Sequence, residues 1–489
     1  MKNRTLYLPG FHLQTLRRKP RSDAQKLVDQ AARIRQYSVS RLDEWFGRFI
    51  PLDAFEQHSN GAFSRRRLFS KANTFWAFFS QVLDADSGCR EVVRKIQAYA
   101  GTKDIAIRSS STSAYCQARA KLDEVALEST VHHTGEVLQR RGQDHRWKDR
   151  RVIVVDGTGV SMPDTEANQS AWPQQSDQTP GCGFPQARVC ACFYLHAGAL
   201  LSHRMGDRKT HELPLFCQQW DTFKAGDIML ADKGVCSYYD VWQLQQRAVD
   251  SVFSLARRKP VQAAEAVQVL GDDDLLICWP KPKWNKALSY TQSEWEALPG
   301  HLTLRQIKVT IEQPGFRKQS YYLITTLTNT KHFSAHDLAG LYYQRWDVEL
   351  FLRDIKTTMG MDILRCLTPQ MVRKAILMHW IVFNTIRLLM LDAARDAKVR
   401  PRQISFKASM QALRQWEPQL NRAELTHSKR SRLITLLRAS IADAKLSHRR
   451  GRREPRCVKR RPKPFVLLVR HRLDMIDIPH KNRYRAEHP

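Results

Sequence analysis

Acidic residues are scarce in this chain: 48 Asp+Glu stand against 79 Lys+Arg, a formal net charge of +31 over 489 residues. A surplus of that size repels itself unless a polyanion neutralises it, so nucleic acid leads as a partner and an anionic membrane surface follows. Long apolar runs are also lacking. The most apolar stretch, Ala375 to Leu391, is broken by His379, Asn384 and Arg387, short of the ~20 uninterrupted apolar residues of a spanning helix. That argues against a membrane protein. The opening MKNRTLYLPGFHLQTLRRKPR is basic without an apolar segment, so no secretory leader is expected. Among ten cysteines there is no C-x-x-C pair, and the closest spacing is Cys190-x-Cys192. Neither a zinc site nor a disulfide framework is supported, and reduced cytoplasmic thiols are expected. Internal repeats are missing as well. What is present is 42% hydrophobic residues, enough to bury real cores and exclude global disorder.

The texture changes along the chain. Residues 25–145 repeat apolar positions at helical spacing, as in TFWAFFSQVLDADSGCREVVRKIQAYAG. Within them, a Ser/Thr cluster at 109–113 precedes an amphipathic helix carrying Gln117, Arg119 and Lys121. Two readings fit: a helix-turn-helix-like DNA reader with Gln117 and Arg119 on its DNA face, or an ordinary bundle with a solvated basic face. From about 150 the pattern alternates strands and helices, which argues an α/β fold. The β-branched run Val152 to Val155 predicts a buried strand ending at Asp156 before a Gly-Thr-Gly turn, and Asp227 to Ala231 predicts a second ending at Asp232. Residues 257–330 lose the helical period and alternate like antiparallel strands, as an inserted β-rich module would. Helices resume from Ser334. Lys445 to Arg472 holds 12 Lys/Arg and one Glu in 28 residues, with three prolines, and reads as an extended basic arm.

Asp156 and Asp232 each follow an apolar strand, and carboxylates held at strand ends are rigid and open to a cleft. Strand-end aspartates also serve as plain turn formers, so a third acid decides the matter. It is Glu349. In LYYQRWDVELFLRDIKTTMG, Tyr342, Arg345, Glu349 and Lys356 fall at i, i+3, i+7 and i+14. At about 100° per residue they stay within roughly a 60° arc of one helix. A solvated salt-bridge face would have the same pattern. Three convergent carboxylates suit two divalent cations, Mg²⁺ with Mn²⁺ as a substitute, acting on a phosphodiester. Arg345 and Lys356 would hold phosphates of the same DNA end.

Tyr342-x2-Arg345-x3-Glu349-x6-Lys356 resembles the Tyr-Arg-Glu-Lys motif of the DDE transposases of insertion-sequence family four. TSAYCQARAKL, VVDGTGVSMPDTEANQ, PGCGFPQARVCA, GDIMLADKGVCSYYD and EPRCVKRRPKPF also resemble blocks of these bacterial proteins, in family order. The resemblance spans about residues 70–470. It implies a ribonuclease-H-like catalytic core at 148–256 and 331–400, interrupted by the β-rich insertion at 257–330. A helical DNA-binding region would occupy 1–147, and a helical then basic region 401–489. Asp156, Asp232 and Glu349 would be the metal-binding catalytic triad, with Tyr342, Arg345 and Lys356 on phosphates. The resemblance places Tyr321 as a stacking partner for a flipped base, with Trp279, Trp284 and Trp295 as rivals. Lys233 stands beside the second Asp, where many members have Arg. The implied protein is a bacterial, nucleoid-associated enzyme. It would bind its element's terminal inverted repeats, cleave them and join the ends to target DNA, as a homodimer in the synaptic complex. Two other readings stay open: an inactive DNA-binding relative, and a metal-dependent nuclease without strand transfer.

Overall fold

A computed structural model describes residues 42–51, 60–64, 67–84, 88–101, 109–207, 210, 212–234, 237–255, 260–285, 290–311, 319–420, 422, 425–446, 469–471 and 474. The segment 25–41, expected to be helical, and most of the basic arm of 445–472 lie outside the described residues.

A mixed sheet of nine strands organises the chain, in the order β3-β2-β1-β4-β5-β9-β8-β7-β6. β1 (Val152–Ser161), β2 (Gln186–Tyr194) and β3 (Ala199–Asp207) form an antiparallel meander. β4 (Ile228–Ala231) adds parallel to β1, and β5 (Asp250–Ser254) parallel to β4. Both are short and apolar because helices cover both faces of a parallel pair. One expectation needs correction. Gly157-Thr158-Gly159 is not a turn, since β1 runs on through Ser161, and the three residues pair in turn with Cys190, Val189 and Arg188 of β2. The parallel ladder with β4, not the strand itself, stops before Asp156.

The strands within 257–330 continue the same sheet. β6 (Gln268–Gly271), β7 (Asp274–Pro280), β8 (His301–Ile311) and β9 (Gln319–Thr325) are antiparallel, and β9 docks on β5. A separate apolar cluster built around Tyr238, Trp295, Leu304 and Ile324 supports this end. The buried Arg305 guanidinium grips Asp274 at 2.8 and 2.6 Å and the Phe333 carbonyl at 2.6 Å, tying these strands to the chain that returns to the main core.

Among the described residues, five helices precede the sheet: α1 (Leu42–Phe46), α2 (Lys71–Leu83), α3 (Cys89–Gly101), α4 (Ser113–Ala120) and α5 (Glu124–Arg141). α6 (Glu166–Ala171), α7 (Glu212–Cys217), α8 (Tyr238–Gln246) and α9 (Gln292–Glu296) connect strands. After β9 come α10 (Ala335–Tyr343), α11 (Asp347–Arg353), α12 (Pro369–Asp396), α13 (Phe406–Leu420) and α14 (His427–Asp443). α12 is long and apolar enough to cross a membrane, but its most apolar stretch is wholly buried within the fold. The polar residues that interrupt it dock it. Asn384 accepts from the Leu200 N–H at 2.9 Å and donates to the Leu200 carbonyl at 3.0 Å, completing β3 as another strand would. α5 meets the same point through Gly135, where a Cβ would fall 2.3 Å from the Leu200 oxygen. Only glycine permits that approach.

Candidate active site

Register assembles the site. Val155, Ala231 and Phe253 are in line across β1, β4 and β5, so the next residues, Asp156, Asp232 and Ser254, leave the aligned ladder together. Neighbouring strands lie about 4.8 Å apart, which makes Asp156 and Asp232 close neighbours. The Asp156 Oδ1 accepts from the Gly157 N–H at 2.8 Å. Asp232 Oδ1 accepts from the Lys233 N–H at 2.7 Å and the Ser254 hydroxyl at 3.2 Å. β9 runs antiparallel to β5 with Leu323 opposite Ser254, so Tyr321, two residues earlier, arrives at the same end of the sheet.

The Glu349 helix packs on β1. Arg345 Nη2 lies 3.5 Å from Glu349 Oε1, and its guanidinium carbon is 5.7 Å from the Tyr342 ring centre and 5.9 Å from that of the exposed Trp346. The Tyr342 and Tyr321 rings are 5.6 Å apart. Burial pushes the Tyr342 hydroxyl up, with Asp232 adding to the rise while Ser254 and Arg345 oppose it. Asp156 is pushed up to about 6, first by burial and then by the nearby Glu212 and Glu349 carboxylates; the Gly157 N–H and Arg345 pull the other way. Six of the sequence-predicted residues therefore converge: Asp156, Asp232, Glu349, Tyr342, Arg345 and Tyr321.

The uniform helix expected to carry the Tyr-Arg-Glu-Lys residues is interrupted. A 3-10 turn at Gln344–Trp346 separates α10 from α11, and a π turn at Asp354–Thr358 follows. A 3-10 turn winds more tightly than an α-helix and a π turn more loosely, so the simple angular arithmetic does not place half-buried Lys356, which sits inside the π turn.

Known proteins bear on this geometry. The family model "Transposase DDE domain" matches residues 147–385. The chain is also 26% identical over 411 residues to the transposase InsG for insertion sequence element IS4 of Escherichia coli (strain K12), covering 81% of this chain and 87% of that protein. Residues 147–385 thus match a transposase DDE domain, and most of the chain is similar to an insertion-sequence transposase. Its family match opens just before β1 and closes within α12, so it contains all three candidate carboxylates.

Other predicted residues lie elsewhere. Lys233 is exposed next to Asp232. Gln117 is exposed on α4 and lines a cleft of about 370 Å³ with Arg67 and Lys121. Arg119 is a correction: it turns into the protein, donating to Gln81 Oε1 at 2.9 Å with its guanidinium 5.0 Å from the Phe78 ring centre and 5.5 Å from that of Tyr115. Residues 117 and 119 are about 200° apart on a helix, so one exposed side chain sends the other inward. Trp295 is buried, and Trp279 and Trp284 pack against the same cluster, which spends these rings on packing. Two residues escaped the sequence reading. Ser254 was legible as the position following the apolar run of β5. Glu212 was not: its carboxyl carbon lies 2.3 Å from where a Gly157 Cβ would be, and its Oε1 lies 3.9 Å from Arg188.

Among the described residues, no three Asp, Glu, His or Cys side chains are drawn together as the ligands of one ion. The chemistry of the donor set still fits a hard divalent cation. It offers carboxylate oxygens without thiol or imidazole, and burial together with the neighbouring Glu212 and Glu349 carboxylates raises Asp156.

Proposed function

We propose that this transposase binds the terminal inverted repeats of its own insertion element. It would cleave them in a reaction dependent on Mg²⁺ or Mn²⁺ and join the freed ends to target DNA. The observation that carries this reading is the alignment of Asp156 and Asp232 on adjacent parallel strands, with Glu349 delivered beside Asp156 by a helix packed on β1. Support for a ribonuclease-H-like core comes from the strand order 3-2-1-4-5, antiparallel in its first three strands and parallel thereafter.

Asp156, Asp232 and Glu349 would hold two divalent ions. Bound there, such ions supply an activated water or 3′-hydroxyl and stabilise the departing oxygen. The chain's own residues provide the remaining chemistry. Ser254 and the Lys233 N–H orient Asp232 by two hydrogen bonds. Arg345 neutralises Glu349 in the DNA-free protein and offers its guanidinium to a phosphate once Glu349 turns to a cation. Tyr342 and Lys356 would contact phosphates near the cleaved end, and Tyr321 would stack on an unpaired base. Two chains would act as a homodimer on paired ends.

A labelled duplex carrying the terminal repeat, with a target plasmid, tests this. Wild type is expected to nick and join in Mg²⁺, while Asp232→Ala and Glu349→Ala bind the duplex but lose cleavage by at least ~10³-fold. Full cleavage by either variant refutes the triad. Cleavage without joined product reduces the protein to a nuclease, and binding without cleavage by wild type makes it a regulator.

A further inference from the structure

The end of the β1–β2 ladder away from Asp156 holds a second charged cavity, of about 380 Å³. It lies where the lead-in to β1, the β2–β3 turn and the segment after α12 meet. Its walls carry His145, Arg146, Lys148, His196, Arg400 and Arg402. The acid among them, Asp144, is 77% exposed and lies 3.5 Å from Arg395. Lys148 pairs with Asp337 at 2.8 Å, and Arg402 with Asp347 at 2.5 Å. Among the described residues, no carboxylate pairs with Arg146 or Arg400. His196 Nδ1 is buried and has no hydrogen-bond partner among them.

We propose that this cavity is a phosphate site, occupied by a DNA backbone phosphate when the transposase engages its substrate. Arg146 and Arg400 are exposed guanidiniums on the walls of one cavity, with no carboxylate partner among the described residues, and a phosphate offers them charged acceptor oxygens in place of water. Burial, with Arg402 and His145 nearby, holds the His196 imidazole down to about 4. It is therefore neutral at pH 7 and donates one N–H without adding charge. The cavity lies at the far end of the ladder that carries Asp156. His196 lies two residues beyond Tyr194, which pairs with Ile153 on the antiparallel β1, so Asp156 is about five residues farther along the ladder, roughly 17 Å away. Arg402 joins the two places: it lines the cavity, bonds Gln344, and pairs with Asp347, two residues before Glu349. The DNA source rests on the transposase reading; the phosphate chemistry does not.

Calorimetric titration of the full chain with inorganic pyrophosphate at low salt tests the site. Wild type is expected to bind saturably, and Arg146→Ala/Arg400→Ala to lose about tenfold or more in affinity. Lys407→Ala/Arg432→Ala removes equal charge from exposed positions elsewhere and should keep it. Arg146→Lys/Arg400→Lys should recover part of the loss, which a misfolded protein would not. Absence of saturable binding, or equal loss in both alanine pairs, overturns the proposal. The salt dependence of duplex binding decides the source. Its log–log slope should fall by about one in Arg146→Ala/Arg400→Ala, as for the loss of one phosphate contact, and an unchanged slope with lost pyrophosphate binding overturns the DNA assignment in favour of free phosphate. Neither arm needs cleavage, so an inactive enzyme would sink the catalytic reading and leave this one standing.

Discussion

Asp156 is half-buried beside two other carboxylates, and its carboxyl is pushed up to about 6. An acid raised on folding from its usual ~3.9 stabilises the fold fully below that pH, and loses this contribution as pH rises through the folded value. At pH 7.5 the charged Asp156 is therefore a strain on the metal-free protein. Asp156→Asn is expected to match wild type near pH 4 and to be more stable by roughly 1–2 kcal/mol at pH 7.5, with divalent ions chelated. Thermal midpoints at the two pH values check this, and an equal difference at both would show that the carboxyl titrates normally. Gly157 belongs to the same story, because its missing Cβ is what admits Glu212. That contact joins residues 55 positions apart (212 − 157), and no local pattern in the sequence announces it.

Among the elements, α12 teaches most. Its 28 residues pass for a membrane span by length and composition, yet the side chains that break its apolar run are its docking groups. Arg387 reaches Asp354 in the π turn at 3.1 Å and lies against Phe351, Phe383 and Phe406. Asn384 satisfies both backbone groups of Leu200. Asn384→Leu keeps the shape but strands a buried N–H and carbonyl, which is expected to cost ~2–4 kcal/mol. Denaturant unfolding should show a lower midpoint at unchanged slope, and a loss below ~1 kcal/mol would mean the Leu200 groups find other partners. The periodicity was legible in sequence for α12 and for the strands around Asp156 and Asp232. It misled at Gly157-Thr158-Gly159, where pairing with β2 overrides the turn preference of glycine, and at the 3-10 and π turns flanking α11, which tertiary packing imposes.

At the scale of the molecule, the +31 charge dominates. Duplex DNA neutralises that self-repulsion and binds only the folded surface as a whole, so the thermal midpoint should rise on adding duplex at 50 mM salt. The rise should vanish by about 0.5 M salt as counterion release loses its drive. A shift indifferent to salt would instead place recognition in apolar or base contacts. The nine-stranded sheet gives the charge an address. The end of its β1–β4 ladder presents Asp156 and Asp232, while the far end of the β1–β2 ladder presents the Arg146–Arg400 cavity.

The sequence by itself determined the basic character, the α/β class, the strands leading to Asp156 and Asp232, and the spacing of Tyr342, Arg345 and Glu349. These depend on composition and on contacts a few residues apart, where side-chain type and period suffice. Tertiary structure alone decided that Arg119 faces inward, that the strands of 257–330 extend the same sheet, and that Glu212 reaches Gly157. It also decided that Arg146 meets Arg400 across 254 positions (400 − 146). Such pairings depend on which surfaces chain closure brings together, and local periodicity carries no term for that.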